Sequence, residues 1–281
     1  MRTLDQIIEH ALDEDIGFED ITTDTIIDRS LSGVGEIKVK ESAIVAGLDI
    51  AGKVFEKIDP EIEFESLVKE GDSVEKNTIL ANVKGRISSI LKGERTALNF
   101  LMRLSGIATI TNQYVKELDG TNVVLLDTRK TTPGLRLVEK YAVKMGGGTN
   151  HRFGLFDGIL IKDNHIKATG SIREAIRTIK SARPYHKVEI EVKNIEELKL
   201  AIEAGADIVL LDNMELKLLE EAIKLAKNRV LVEVSGNITL NNLKAVANLK
   251  PDFISSGAIT HSARAIDISL KITDVYRKGK A

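Results

Sequence analysis

The chain contains no cysteine and no tryptophan. Without cysteine there is no disulfide, no thiolate metal site and no thiol nucleophile. No apolar run approaches the roughly 18 residues that a transmembrane helix needs. The formal net charge of −2 gives no overall pull toward nucleic acid or membrane, so any anion binding must come from local clustering. What is there describes a soluble globular protein, 43% hydrophobic and 29% charged. Its 281 residues have room for two domains or one large one. The start, Met1–Gly17, reads as an amphipathic helix on Leu4, Ile7, Ile8, Ala11 and Leu12, not as a signal peptide, because acids interrupt it. The cytoplasm is the expected compartment. Abundant lysine, glutamate and isoleucine beside the missing cysteine and tryptophan fit a heat-adapted source.

In the second half, six apolar stretches each end on a charged or small polar residue. Val123–Asp127 runs into Arg129-Lys130, Ile159–Ile161 into Lys162, and Val188–Ile190 into Glu191. Ile208–Leu211 runs into Asp212, Val230–Val234 into Ser235-Gly236, and Phe253–Ile254 into Ser255-Ser256-Gly257. Between them lie segments of helical period such as Ile195–Ala204 and Leu216–Ala226. This is the pattern of a β/α barrel, whose parallel strands are buried and apolar and carry functional groups at their C-terminal ends.

The first hundred residues have the texture of an α+β domain. Asp20–Asp24 reads as a polar turn or cap, Gly35–Glu41 as a half-exposed strand, and Ile50–Ile58 as a helix. Ile62–Val68, Ile79–Val83 and Gly85–Leu91 read as short strands. Leu67–Leu91 resembles the half-barrel of biotinyl and lipoyl carriers, with Lys84-Gly85-Arg86 at the hairpin tip but without the flanking residues of a working carrier. Glu94–Leu118 reads as one long helix with Arg95 in its first turn, where a cation opposes the helix dipole. Either Glu94 pairs with Arg95, or Arg95 faces an anion. Ala263–Arg277 reads as a closing helix.

The chemistry sits at the strand ends. Arg129 and Lys130 join a fork-shaped and a point-charge donor, each suited to carboxylate or phosphate. Gly146-Gly147-Gly148 allows close backbone approach and leads to Asn150-His151-Arg152; it is no P-loop, since the Gly-Lys-Ser/Thr ending is missing. Lys162 is either an anion clamp or a Schiff-base nucleophile, as in an aldolase. Glu191 and Asp212, on consecutive strands, offer hard oxygen ligands suited to Mg²⁺, or could steady a positively charged sugar. Ser235-Gly236-Asn237 and Ser256-Gly257 expose small residues where barrels bind phosphate, with His261 just beyond.

Taken together, these phrases resemble the quinolinate phosphoribosyltransferase family. The resemblance covers Asp20–Thr22, Gly93–Asn99, Asp127–Arg136, Gly146–Gly154, Ile161–His165, Glu189–Val192, Ala204–Asn213, Glu233–Asn237 and Phe253–His261, nearly the whole chain. It implies an α/β fold: an N-terminal α+β sandwich domain (1–112), against which a C-terminal helix (263–281) returns, and an incomplete, six- to seven-stranded β/α barrel (113–281). It implies a pentosyltransferase that converts quinolinate and phosphoribosyl pyrophosphate, with Mg²⁺, to nicotinate mononucleotide, pyrophosphate and CO₂ in NAD biosynthesis. Residue by residue, it implies that Arg129, His151, Arg152 and Lys162 hold the quinolinate carboxylates. Lys130 lies by the phosphoribosyl donor, and Glu191 and Asp212 by the ribose and metal, directly or through water. Ser235, Gly236, Asn237, Ser256, Gly257 and His261 belong to the 5′-phosphate cradle. Arg95 matches the arginine that a homodimer partner donates to each site; higher assembly stays open. The two-acid donor loop of type I phosphoribosyltransferases is not matched, because Thr128 stands where the second acid belongs. A molybdenum-transport-associated relative of the same fold is the nearest rival, and the Thr128–Thr131 and Asn150–Arg152 set favours quinolinate over it.

Overall fold

The computed structural model describes residues 2–277. The chain opens with α1 (Leu4–Ile16), α2 (Ile21–Ile26), β1 (Leu31–Val39), β2 (Ala43–Ile44), α3 (Leu48–Ile58), β3 (Glu63–Ser66), β4 (Ser73–Val74), β5 (Ile79–Arg86) and α4 (Ile87–Glu117). It continues with β6 (Val124–Leu126), α5 (Arg136–Met145), β7 (Ile159–Ile161), α6 (Asp163–Thr169), α7 (Ile172–Ala182), β8 (Val188–Val192), α8 (Ile195–Glu203), β9 (Ile208–Asp212) and α9 (Leu216–Ala226). It closes with β10 (Leu231–Ser235), α10 (Leu240–Ala247), β11 (Phe253–Ser255), α11 (Ala258–His261) and β12 (Ile268–Arg277). Two compact units divide these elements. The first draws its described residues from Met1–Asn112, Thr132–Gly147 and Ala263–Ala281, the second from Gln113–Thr131 and Gly148–Ser262.

In the first unit, an antiparallel sheet runs in the order β12-β1-β5-β3, beside the small β2-β4 ladder. α1 starts on a capping box between Thr3 and Gln6, and α2 on the Asp20 carboxylate, which accepts from the Thr23 N–H at 2.9 Å. The core gathers Phe55, Leu80, Ile90, Leu98, Leu101 and Leu104, all almost fully buried. Phe55 stacks on Phe64 with centroids 6.0 Å apart.

Several expectations change here. The closing segment is a strand, not a helix: Ile268, Leu270 and Ile272 alternate, and β12 pairs with β1 from Val39↔Ile268 to Leu31↔Arg277. Alternation of apolar residues, isoleucine among them, beside an open sheet edge outweighs helical propensity. Residues 278–281 of the expected helix lie outside the described residues, as does Met1. Gly85–Leu91 is no strand either. Only its first two residues end β5; Ile87, Ile90 and Leu91 recur at helical spacing and begin α4, where Ile87 and Ile90 are buried. Arg95 therefore stands in the third turn of α4, where the dipole argument loses its force. Lys84-Gly85-Arg86 is not a hairpin tip. Lys84 sits inside β5 and pairs with Glu63 at 3.0 Å.

The second unit carries a six-stranded parallel sheet in the order β6-β11-β10-β9-β8-β7. Each strand after β7 pairs with the one before it in sequence, and β6 pairs with β11. At the free side of β6, Thr149 forms a single parallel bridge to Leu126, the trace of a seventh strand. This is the incomplete β/α barrel that the apolar rhythm predicts. The strands are short and buried, with Val188, Ile190, Val209, Leu211, Val232, Val234 and Ile254 at their centres.

Candidate active site

The C-terminal ends of these strands surround a cavity of about 470 Å³ whose lining belongs wholly to the second unit. Arg129 and Lys130 follow β6, and Lys162 follows β7. Glu191 lies near the end of β8, Asp212 ends β9 and Ser235 ends β10, followed by Gly236 and Asn237. Ser256, Gly257 and His261 come from the loop after β11 and from α11, and His151 and Arg152 from the loop before β7. Every residue assigned to the site lines this cavity except Arg95, which is exposed on α4 in the other unit and makes no ion pair among the described residues.

Local structure fixes the basic wall. Asp127 is fully buried and accepts from the His151 N–H and from Asn150 Nδ2, each at 2.8 Å, which pins the Asn150–Arg152 turn against β6. Arg152 Nη1 donates to the Gly158 carbonyl at 3.1 Å. Burial first, and then the neighbouring Arg129 charge, lower the Arg152 pKa. Lys130 is held from behind: its carbonyl accepts from Thr260 Oγ1 at 2.8 Å. Its stem crosses Gly257, where a Cβ would sit 2.8 Å from Lys130 Cδ and 3.0 Å from the His261 ring.

The acidic wall is sparser. Glu191 Oε2 lies 3.5 Å from Lys162 Nζ, so the two strand ends share a loose ion pair. Glu191 and Asp212 are half-buried carboxylates facing the cavity, a hard-oxygen donor set that fits Mg²⁺. Beyond them the backbone turns sharply. Asn213, Gly236 and Asn237 all take positive φ, and Asn237 Nδ2 donates to Asn213 Oδ1 at 3.0 Å. A Cβ at Gly236 would meet Asn213 Oδ1 at 2.3 Å, so only glycine closes this turn. The Ser256 hydroxyl donates to the Ile238 carbonyl at 2.9 Å and so braces this loop. Of the three consecutive glycines, none lines the cavity; Gly146 ends α5.

Sequence reasoning missed what forms the floor. Glu189 and Glu233 sit inside β8 and β10, nearly fully buried, with Oε2 atoms 3.1 and 3.4 Å from His151 Nε2. Ser255 Oγ, also buried, donates to Glu233 Oε1 at 2.5 Å and lies 2.8 Å from Ser235 Oγ. The missed signal was a carboxylate in mid-strand among apolar neighbours, which must find a partner to be buried at all. Burial works against a charged His151, yet the contacts to Glu189 and Glu233 outweigh it and raise its pKa to about 10. The Arg152 N–H donates to His151 Nδ1 at 2.7 Å, so this nitrogen stands as an acceptor. The Glu189 carboxyl is in turn pushed up by burial, and further by Glu233, against the lowering hydrogen bond of His151. Glu189 Oε1 is buried with no hydrogen-bond partner among the described residues. The three side chains bring ligand atoms within 4.8 Å of one another, close enough for a metal ion.

Parallel strand ends that present paired guanidiniums, lysines and two acids around amide-rich turns define a barrel enzyme domain for a polyanionic substrate. Comparison with known proteins narrows the class. The family model described as quinolinate phosphoribosyl transferase, C-terminal domain, matches residues 107–271, and its N-terminal counterpart matches residues 20–105. The chain belongs to the quinolinate phosphoribosyl transferase family. Relatives named probable nicotinate-nucleotide pyrophosphorylase [carboxylating] include one from Synechocystis, 42% identical over 275 residues, spanning 96% of this chain and 92% of that protein. Another, from Bacillus subtilis, is 42% identical over 271 residues, spanning 96% and 93%. The solved nicotinate-nucleotide pyrophosphorylase of Francisella tularensis superposes with a TM-score of 0.91 at 42% identity, covering 97% of this chain and 98% of that one.

Proposed function

We propose that the protein transfers the phosphoribosyl group of phosphoribosyl pyrophosphate to the ring nitrogen of quinolinate, releasing pyrophosphate and CO₂ and giving nicotinate mononucleotide for NAD biosynthesis. The observation that carries this reading is that Arg129 and Arg152 line one half-buried wall of the cavity, where burial first and then the Arg129 charge lower the Arg152 pKa. Such a pair suits a ligand that brings two carboxylates, and Lys162 stands on the same cavity to share them. Leu160 and Leu210 add apolar surface for a pyridine ring.

In this reading the ring nitrogen attacks the anomeric carbon as pyrophosphate departs. Glu191 and Asp212 offset the developing positive charge on the ribose, and Lys130 faces the departing phosphates. The 5′-phosphate rests against the turns at Ser235–Asn237 and Ser256-Gly257, with His261 beside them. The quaternised ring nitrogen then accepts the electron pair left by the departing carboxylate, so CO₂ leaves only after glycosyl transfer. Mg²⁺ fits Glu191 and Asp212, directly or through water, and when bound supplies charge neutralisation for the leaving pyrophosphate.

We further propose a homodimer in which Arg95 reaches the partner's site. The exposed Arg95, which makes no ion pair within 4 Å among the described residues, supports this, as do the apolar residues Phe18, Ile21 and Ile26, exposed on the first unit as subunit contacts would be. The cytoplasm is the proposed compartment, with neither nucleic acid nor membrane as partner. No helix among the described residues is long and apolar enough to cross a membrane.

Carboxyl-labelled quinolinate with Mg²⁺, with and without phosphoribosyl pyrophosphate, tests the reading. CO₂ release that depends on the co-substrate is expected. No release from a folded protein that still binds the co-substrate would refute it.

A further inference from the structure

The hydrogen bonds of His151 point to a different role from that of a carboxylate ligand. An imidazole has two nitrogens, and here both are engaged. Nδ1 accepts from the Arg152 backbone N–H at 2.7 Å, and Nε2 faces Glu189 and Glu233 at 3.1 and 3.4 Å. Neither is left to meet a substrate oxygen. The ring is also rigidly backed. Glu233 is tied to Ser255 on β11, and the His151 N–H is tied to buried Asp127. The ring thus joins the loop before β7 to β8 and β10. The residue this arrangement delivers to the cavity is Arg152, whose N–H rests on the ring and whose guanidinium donates to the Gly158 carbonyl.

We infer that His151 is a positioning residue, locked by Glu233 and Glu189 so that its ring aims Arg152 at the substrate and makes no hydrogen bond to the substrate itself. This rests on the reading of the cavity as a quinolinate site. It makes Glu233, in mid-strand and buried at the floor of the cavity, a determinant of quinolinate affinity through the ring it holds.

The test uses the full chain labelled with ¹⁵N-histidine, with the His151 ring signals identified by their loss in His151→Gln. In the unliganded wild type, the Nε2–H tautomer is expected, with Nδ1 bare. On saturation with quinolinate, both ring shifts should stay in place. A ring carrying hydrogen on Nδ1, or ring shifts that move as a carboxylate takes over the N–H, would overturn the inference. In kinetics, Glu233→Ala should raise KM for quinolinate about tenfold with little change in kcat, the size expected for loss of one hydrogen bond to an ionised group. Glu233→Gln keeps an acceptor for Nε2–H and should restore most of the affinity. An unchanged KM in Glu233→Ala, or a loss carried by kcat, would also overturn it. Calorimetry of the wild type separates the two readings. If quinolinate does not bind, the substrate assignment fails, and the tautomer of the unliganded ring still decides the geometry.

Discussion

Gly236 shows how much of this site depends on single positions. Its φ of 94° and the 2.3 Å approach of Asn213 Oδ1 to any added Cβ leave no room for alanine. Forcing a side chain into such a conformation costs about 1–3 kcal/mol. Gly236→Ala should therefore raise KM for phosphoribosyl pyrophosphate by tenfold or more, measured at saturating quinolinate. Arg129→Ala removes a fork that a carboxylate can meet with two hydrogen bonds. At about 1.5–3 kcal/mol for a hydrogen bond to a charged group, quinolinate affinity should fall by about ten- to a hundredfold, and near-normal activity would count against the assignment. The cations were legible in the sequence because they interrupt apolar runs at strand ends. Glu189 and Glu233 were not, because a two-residue period allows a buried acid to hide between valines, and only the fold shows which histidine it meets.

Asp59 ties three pieces of chain together. It follows α3, accepts from Arg86 Nε at the end of β5 at 2.7 Å, and accepts from Ser89 Oγ in the first turn of α4 at 2.8 Å. The Arg86 hydrogen bond above all, then the Ser89 hydroxyl and the Glu61 amide, hold its pKa well below 3.8 despite burial. A depressed folded-state value stabilises the protein fully above the unfolded value and less as pH falls toward the folded one. Acid unfolding curves should thus steepen below pH 3.8, and Asp59→Asn should flatten that limb while costing about 2 kcal/mol at neutral pH; a variant with an unchanged acid limb would remove Asp59 from the account. The apolar runs of the barrel and the long helix were readable because burial on both faces or on one stripe leaves a periodic trace. The start of α4 and the nature of β12 were not. Isoleucine serves both states, and a sheet edge far away in sequence decided for β12.

The dimer proposal makes a prediction that no single chain can show. If Arg95 completes the partner's site, Arg95→Ala and Arg129→Ala are each nearly inactive. Co-refolded in equal amounts, they should regain about a quarter of wild-type activity, since half the dimers are mixed and each mixed dimer holds one intact site. Mixtures without recovery would place Arg95 in its own subunit's chemistry or outside the chemistry altogether. The pairing of β1 with β12 has a consequence of another kind. Thr273 Oγ1 donates to the Val34 carbonyl across 239 positions, and the barrel segments are made between the two strands. On the ribosome, β1 and β5 emerge early but keep an open edge until β12, Ile268–Arg277, has been synthesised. Long-range pairing of this kind is slow and leaves an exposed strand meanwhile. Chains stalled before residue 268 should therefore bind chaperones through the first unit, and release of the last strand should end that binding. The order of synthesis, and not the strength of either unit, then sets when this enzyme first becomes safe from aggregation.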